Sequence, residues 1–315
     1  MKIVRTAAAT AAACLLLVAT PTVSQAHVDR TGDYTVRAGK TIKGDLTVRN
    51  GTVRILGTVE GYVNQIGSGS VFVGESGEVQ GNLWESGKGS VKIHGTVGGK
   101  VEETGKGSVR IYSSGDVTDG VVEFNNGHVR LDDGGQIGGA FERGPGSVKI
   151  RGVVDGGVSE YGRGNLLVGK TGRVGISLDE NGDGSVKLYG KAGGPTGPLD
   201  RVSSIHEYGE GSIRVYATGH FTGAAVIEAR AGSVRIDAGA RVDGKVSEVH
   251  EGDVAVYGHV GEGIRERDEG HVYLFSTATV GADVVERMSG NLYVDEGAVV
   301  GGIIDEKGEG SIVYR

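Results

Sequence analysis

From Gly51 onward, Val, Ile and Leu return at alternate positions in short runs, and the runs themselves return every 18 to 20 residues. Each run opens on a glycine, usually followed by Ser, from Gly51, Gly69 and Gly89 to Gly290 and Gly310. Two residues after this anchor stands Val, Ile or Leu (Val53, Val71, Val91, Val109, through to Ile312), and four after it stands a second apolar residue, from Ile55 and Val73 to Val294 and Tyr314. Alternation of period two predicts a strand with one buried face. A second apolar pair follows across a small residue, as in Val59-Glu60-Gly61-Tyr62-Val63 and Val97-Gly98-Gly99-Lys100-Val101. No stretch shows the 3.6 period of an amphipathic helix.

A unit this short cannot bury its own apolar face, so units must stack, each strand pairing with its equivalents above and below. The expected fold is therefore all-β: a single parallel β-helix of about 14 coils of 18–20 residues. At about 4.8 Å per coil the rod would be roughly 65–70 Å long. Composition agrees, with 60 Gly, 4 Pro and only 5% aromatic residues, which implies a thin aliphatic core. One unit is 27 residues long, from Gly184 to Gly211, and carries Gly193-Gly194-Pro195-Thr196-Gly197-Pro198. The expected organisation is residues 1–26 as a signal peptide, 27–50 as an N-terminal lead-in and first coil, and 51–315 as repeats with a loop insertion around 191–204.

The signal rests on Lys2 and Arg5, the apolar run Ala7 to Ala19, and Ser24-Gln25-Ala26, with cleavage expected after Ala26. The single Cys, Cys14, lies in the segment to be removed, so no disulfide is expected. Losing Lys2 and Arg5 takes the formal charge from −7 to −9, which argues against nucleic acid as a partner. Beyond the signal no apolar run is long enough to span a membrane. The expected location is secreted or cell-surface.

Thr41-Ile42-Lys43-Gly44-Asp45-Leu46 and the recurrent Val-x-Gly-x-Val, as in Val79-Gln80-Gly81-Asn82-Leu83, Val154-Asp155-Gly156-Gly157-Val158 and Val242-Asp243-Gly244-Lys245-Val246, resemble the bactofilins, bacterial polymer-forming cytoskeletal proteins. The resemblance implies a right-handed β-helix that associates end to end without nucleotide. Bactofilins are typically cytoplasmic or held at the inner face of the membrane, whereas this chain opens on an apparent cleavable export signal. Its Gly-Ser-Val-x-Ile coils are also similar to those of exported, adhesin-type β-solenoid repeat domains.

Four residues before successive anchors stand Glu85, Glu103, Glu123, Glu142, Glu160, Glu180, Glu207, Glu228, Glu248, Glu266, Glu286 and Glu306, with Gln65 in the equivalent place of the first unit. They are expected as an outer ladder, where like charges repel by about 1 kcal/mol per pair in water. Two features can offset this. Glycine amides at the adjacent corner can donate to the carboxylates, and an outward basic column (Arg54, Lys92, Arg110, Arg130, Lys149, Lys187, Arg214, Arg235) can lie nearby. The sharper reading is a carboxylate track for calcium. Near the C-terminus the basic column gives way to apolar and aromatic residues, making Tyr257, Tyr273, Phe275, Tyr293 and Val313 a candidate interface. The chain stops just after the first strand of a new coil without a polar cap, and an open edge is expected to favour assembly.

Catalytic signals are sparse. Asp179-x-Asn181-x-Asp183-Gly184 is a fragment of a calcium loop, but the twelfth position of an EF-hand loop, a bidentate Glu, is Gly190 here. The histidines lack metal-ligating spacing. Asp200, Arg201 and His206 follow the insertion, the one break where lyase chemistry could sit. The expectation is a non-catalytic, self-associating structural rod, with itself as partner and no required cofactor. The different-class alternative is a module that binds cell-wall or extracellular polysaccharide.

Overall fold

The computed structural model describes residues 27–194 and 203–315. The expected signal peptide, Cys14, the cleavage site, Asp200, Arg201 and the middle of the insertion lie outside the described residues. The rest forms one parallel β-solenoid, with no helix among the described residues. Each coil contributes one strand to each of three sheets. The first sheet runs from Val28–Thr31 to Ile304–Glu306, the second from Tyr34–Val36 to Ile312–Tyr314, and the third from Thr41–Ile42 to Val299–Val300. The sheets hold 15, 15 and 14 strands, and every strand pairs in parallel with its equivalent one coil away.

Register explains the composition. Val91 pairs with Val71 and Val109, Leu166 with Val148 and Val186, and Val97 with Val79 and Val117. Aliphatic residues thus rest on aliphatic residues and are buried along the rod, except in its first and last described coils, where some are half-buried. β-Branched side chains suit this stacking because they are already stiff at χ1. The one aromatic residue of the core among the described residues, Phe221, sits over Ala192, so a large side chain is matched to a small one beside the insertion.

The Gly-Ser corner has two physical reasons. The anchor glycine lies against the preceding coil's anchor: a Cβ on Gly164 would sit 1.4 Å from the Gly146 carbonyl oxygen, so only Gly fits. The next residue accepts, through its side chain, the backbone N–H of its equivalent one coil on. Ser108 N–H donates to Ser90 Oγ at 3.2 Å, and Asn165 N–H to Ser147 Oγ at 3.0 Å. Where His replaces Ser it does the same work: Ser147 N–H donates to His128 Nδ1, and Asn291 N–H to His271 Nδ1, both at 2.9 Å. The ladder satisfies amides that no strand would pair.

Gly164→Ala is expected to lower stability by about 1–3 kcal/mol or more, because backbone must shift to admit the methyl. Gly139→Ala, whose Cβ would meet nothing nearer than the Gly157 carbonyl at 3.4 Å, is expected to melt close to the parent. Thermal melts followed by circular dichroism compare the two.

Candidate functional site

The glutamate ladder is not on the outside. Glu85, Glu103, Glu123, Glu142, Glu160, Glu180, Glu207, Glu228, Glu248, Glu266 and Glu286 are buried inside the solenoid, and Glu306 is half-buried. The reason is strand parity. In Leu83–Gly87, Leu83 points inward and Trp84 outward, so Glu85 points inward again. Register then stacks the carboxyls directly: Glu103 on Glu85 and Glu123, Glu142 on Glu123 and Glu160, Glu207 on Glu180 and Glu228.

Within the column, Oε1 accepts from the anchor amide four residues on. Gly146 N–H donates to Glu142 at 3.2 Å, Gly164 to Glu160 at 3.1 Å and Gly290 to Glu286 at 3.1 Å. In other coils the amide two residues on serves, as Arg230 for Glu228 and His250 for Glu248, both at 3.0 Å. Burial, and then the neighbouring carboxyls, push Glu142 and Glu180 up to about 9. Burial likewise lifts Glu85 to about 8 and Glu248 to about 10, each next to a carboxyl of the adjoining coil.

The basic column does not offset these charges. It lies on the outer face of the second sheet, where four of its members, Arg110, Arg130, Arg214 and Arg235, bond to aspartates. Asp132 takes Arg110 at 2.8 Å and Arg130 at 2.7 Å; Asp237 takes Arg214 at 2.9 Å and Arg235 at 2.7 Å. Burial alone would raise Asp132, but the two guanidiniums outweigh it and hold the carboxyl below its ordinary range. Beside each clamp stand stacked rings: His94 on Tyr112 and Tyr189 on Tyr216, both with centroids 3.8 Å apart. Arg110 and Arg214 lie over Tyr112 and Tyr216, with 4.2 and 4.3 Å from Cζ to the ring centroid.

The candidate interface residues Tyr257, Tyr273, Phe275, Tyr293 and Val313 are half-buried on this same outer face. Tyr257 stacks on Phe275 at 3.8 Å and Tyr273 on Tyr293 at 4.9 Å, and Arg315 covers Tyr293. Their ring faces are therefore largely spent on one another. Apart from Tyr314 in the last coil, the rings most open to solvent among the described residues are elsewhere: Tyr161 and Tyr208, 42% and 43% exposed, next to the outward strand residues of the first sheet. Sequence reading missed them because they stand just past the ends of short strands, where alternation gives no signal.

In the calcium-loop fragment the side chains do not gather. Asp179 accepts from Ser177 Oγ at 2.8 Å and lies 3.2 Å from His206 Nδ1, while Asp183 stands 3.9 Å from Arg163. Among the described residues no cluster of three or more His, Cys, Asp or Glu could share a metal ion. Ser204 also meets His206 at Nδ1, at 3.2 Å. A Ser-His-Asp relay needs the two partners on opposite ring nitrogens, so this trio is not one.

Comparison with known proteins bears on the same rod. Residues 34–142 match the model of the bactofilin family, described as polymer-forming cytoskeletal. That stretch of the rod is bactofilin-like. It runs from the first strand of the second sheet to Glu142, and the three-sheet register continues beyond the matched residues to Tyr314. Over 55 residues the chain is 46% identical to the anti-sigma-W factor RsiW of Geobacillus kaustophilus (strain HTA426); the match covers 17% of this chain and 27% of the length of that relative. Among solved structures, a hyper-glycosylated TibA55-350 fragment, its glycosylation catalysed by TibC, covers 91% of this chain and 97% of its own, at 15% identity and a TM-score of 0.41. At that score the likeness carries no weight for fold or function. Among the described residues no helix is long and apolar enough to cross a membrane.

The clamps make a modest prediction. Asp237→Ala should lower stability by at most about 1 kcal/mol, because the ion pairs are partly exposed, and the loss should shrink in high salt. Urea titrations at low and high ionic strength check this.

Proposed function

We propose that this chain is an exported structural rod that assembles with copies of itself at the cell surface or outside the cell. The observation that carries the reading is the match of residues 34–142 to a polymer-forming family, on a rod whose cross-section repeats coil after coil. The family is one of structural polymers, so the function is scaffolding and no catalytic step is needed. Export rests on the sequence of residues 1–26.

Exposed apolar side chains of the last described coil support contact between rods. Ile304 and Ile312 are only half-buried against the core, while Val299 and Ile303 are more than half exposed and Tyr314 is 70% exposed. Among the described residues, Ile312–Tyr314 pairs on one side only, with Leu292–Val294. Exposed apolar surface of this kind is what a second copy of the rod would cover.

Negative-stain electron microscopy of residues 27–315, with and without calcium, tests the proposal. Filaments of uniform width are expected, and the double change Ile303→Lys with Tyr314→Lys should shorten them while leaving circular dichroism unchanged. Short single rods under every condition would sink self-assembly. Cosedimentation of such rods with isolated cell wall, weakened by Tyr161→Ala and Tyr208→Ala, would then favour polysaccharide binding through the open rings.

A further inference from the structure

The buried file of glutamates has hydrogen-bonding capacity that backbone amides do not fill. From Glu142 to Glu286, Oε1 of each buried glutamate has an amide partner, but Oε2 has none and is sealed from solvent; in Glu85, Glu103 and Glu123 both oxygens lack a partner. An orphaned, ionised carboxylate in such a place is among the costliest arrangements a protein can contain. The remedy must come from groups that face the file.

Those groups are few. Above and below the carboxyls lie other carboxyls, with Gln65 on one side of Glu85 at the head of the file. Across the interior the second and third sheets present aliphatic side chains, such as Val148, Leu166 and Val186, and Val154, Val174 and Ala192. At the adjoining corner the charged residues, among them Lys88, Lys106, Arg163, Asp183, Glu210 and His250, are exposed to solvent. Besides the glutamates, the buried polar residues among those described are Thr47, Gln65, Ser203, Ser204 and Ser247, and none is a cation. No ion pair among the described residues involves a buried member of the file. The donors that can reach Oε2 are therefore hydroxyls of neighbouring carboxylic acids. A protonated Glu donates one hydrogen bond to the next carboxyl and keeps an oxygen for its glycine amide. The head of the file supports this independently: Gln65, a neutral amide of the same shape as a protonated Glu, occupies the stacked position and donates Nε2–H to the Gly51 carbonyl at 3.3 Å.

We propose that the eleven buried glutamates form a proton-loaded file, with carboxylic acid groups hydrogen-bonded along the rod axis, and that this file makes the solenoid progressively less stable as the pH rises. Folding takes up protons that the unfolded chain would have released. The raised affinities agree, with Glu123 pushed up to about 8 by burial and its neighbours, and Glu228 and Glu286 to about 7. The sign follows from linkage. A carboxyl that binds its proton more tightly when folded contributes fully below about pH 4.5, its unfolded value, and loses that contribution as pH climbs through the folded value. The window runs from about pH 4.5 to about 10, opposite in direction to ordinary acid denaturation.

Melting temperatures of residues 27–315 between pH 5 and 10 test this, together with the triple change Glu142→Gln, Glu160→Gln and Glu180→Gln. The parent should melt highest near pH 5 and fall steadily toward pH 10, while the triple variant should fall less steeply and outlast the parent at pH 9. Two readings on the parent alone keep the test sharp if the variant fails to fold. Infrared spectra at pH 7 should show the protonated carboxyl band, lost on unfolding, and unfolding in weak buffer at pH 7 should release several protons per chain. A flat or rising pH profile, no protonated carboxyl band, or no proton release would overturn the proposal. So would abolition of the pH dependence by calcium chloride, since the file would then hold cations in place of protons.

Discussion

Everything in this molecule follows from one constraint: each coil lies one strand spacing above the last, so every residue rests on its own equivalent. At the corners the coils approach so closely that a single methyl on an anchor glycine would overlap the carbonyl beneath it. The chain therefore writes columns, and any residue type placed at a repeating position is repeated against itself about 4.8 Å away. Aliphatic residues gain from this, because like stacks on like at uniform density. Serine gains too, since each hydroxyl takes an amide from the coil above.

Ionised side chains do not gain, and the rod deals with them differently on its two sides. Outside, where water is available, charge is interleaved. The position five after the anchor runs His94, Tyr112, Asp132, then Tyr189, Tyr216, after Arg151 and Gly169, and then Asp237. Each aspartate stops a pair of rings and takes arginines from two successive coils. Inside, the side chains facing the carboxyls are aliphatic and no buried cation lies among the described residues, so stacking the carboxyls favours leaving protons on them.

Much of this was legible in the sequence. The alternating Val and Ile, the glycine anchors and the spacing of 18 to 20 residues dictate coils, sheets and core, and the glutamate column was visible as a column. Which side it faced was also written there, because Glu85 stands two residues after Leu83 and Glu103 two after Val101, and period two turns both inward. Charge argued for the surface and alternation for the interior; backbone geometry won, since turning the glutamate out would break the strand's pairing over a whole coil. The arginine clamps were less legible. The basic column was plain, but its partners lie two residues along in the same coil or one coil away, and only the stacked register brings Arg110 to Asp132.

The two kinds of carboxyl pull stability in opposite directions with pH. Asp132, held low by its arginines, supports the fold once ionised and loses that support only as pH falls below its usual range. The buried glutamates do the reverse across the neutral range. The clamps are few and partly solvated, whereas the file is long and sealed. Interactions in a dry interior outweigh those at a wet surface, so the file sets the slope and the clamps only limit its acid end. A rod with such an interior is best suited to mildly acidic surroundings. It owes that character to the stacking that makes it a rod: a lone buried glutamate would lack the neighbour with which to share its proton.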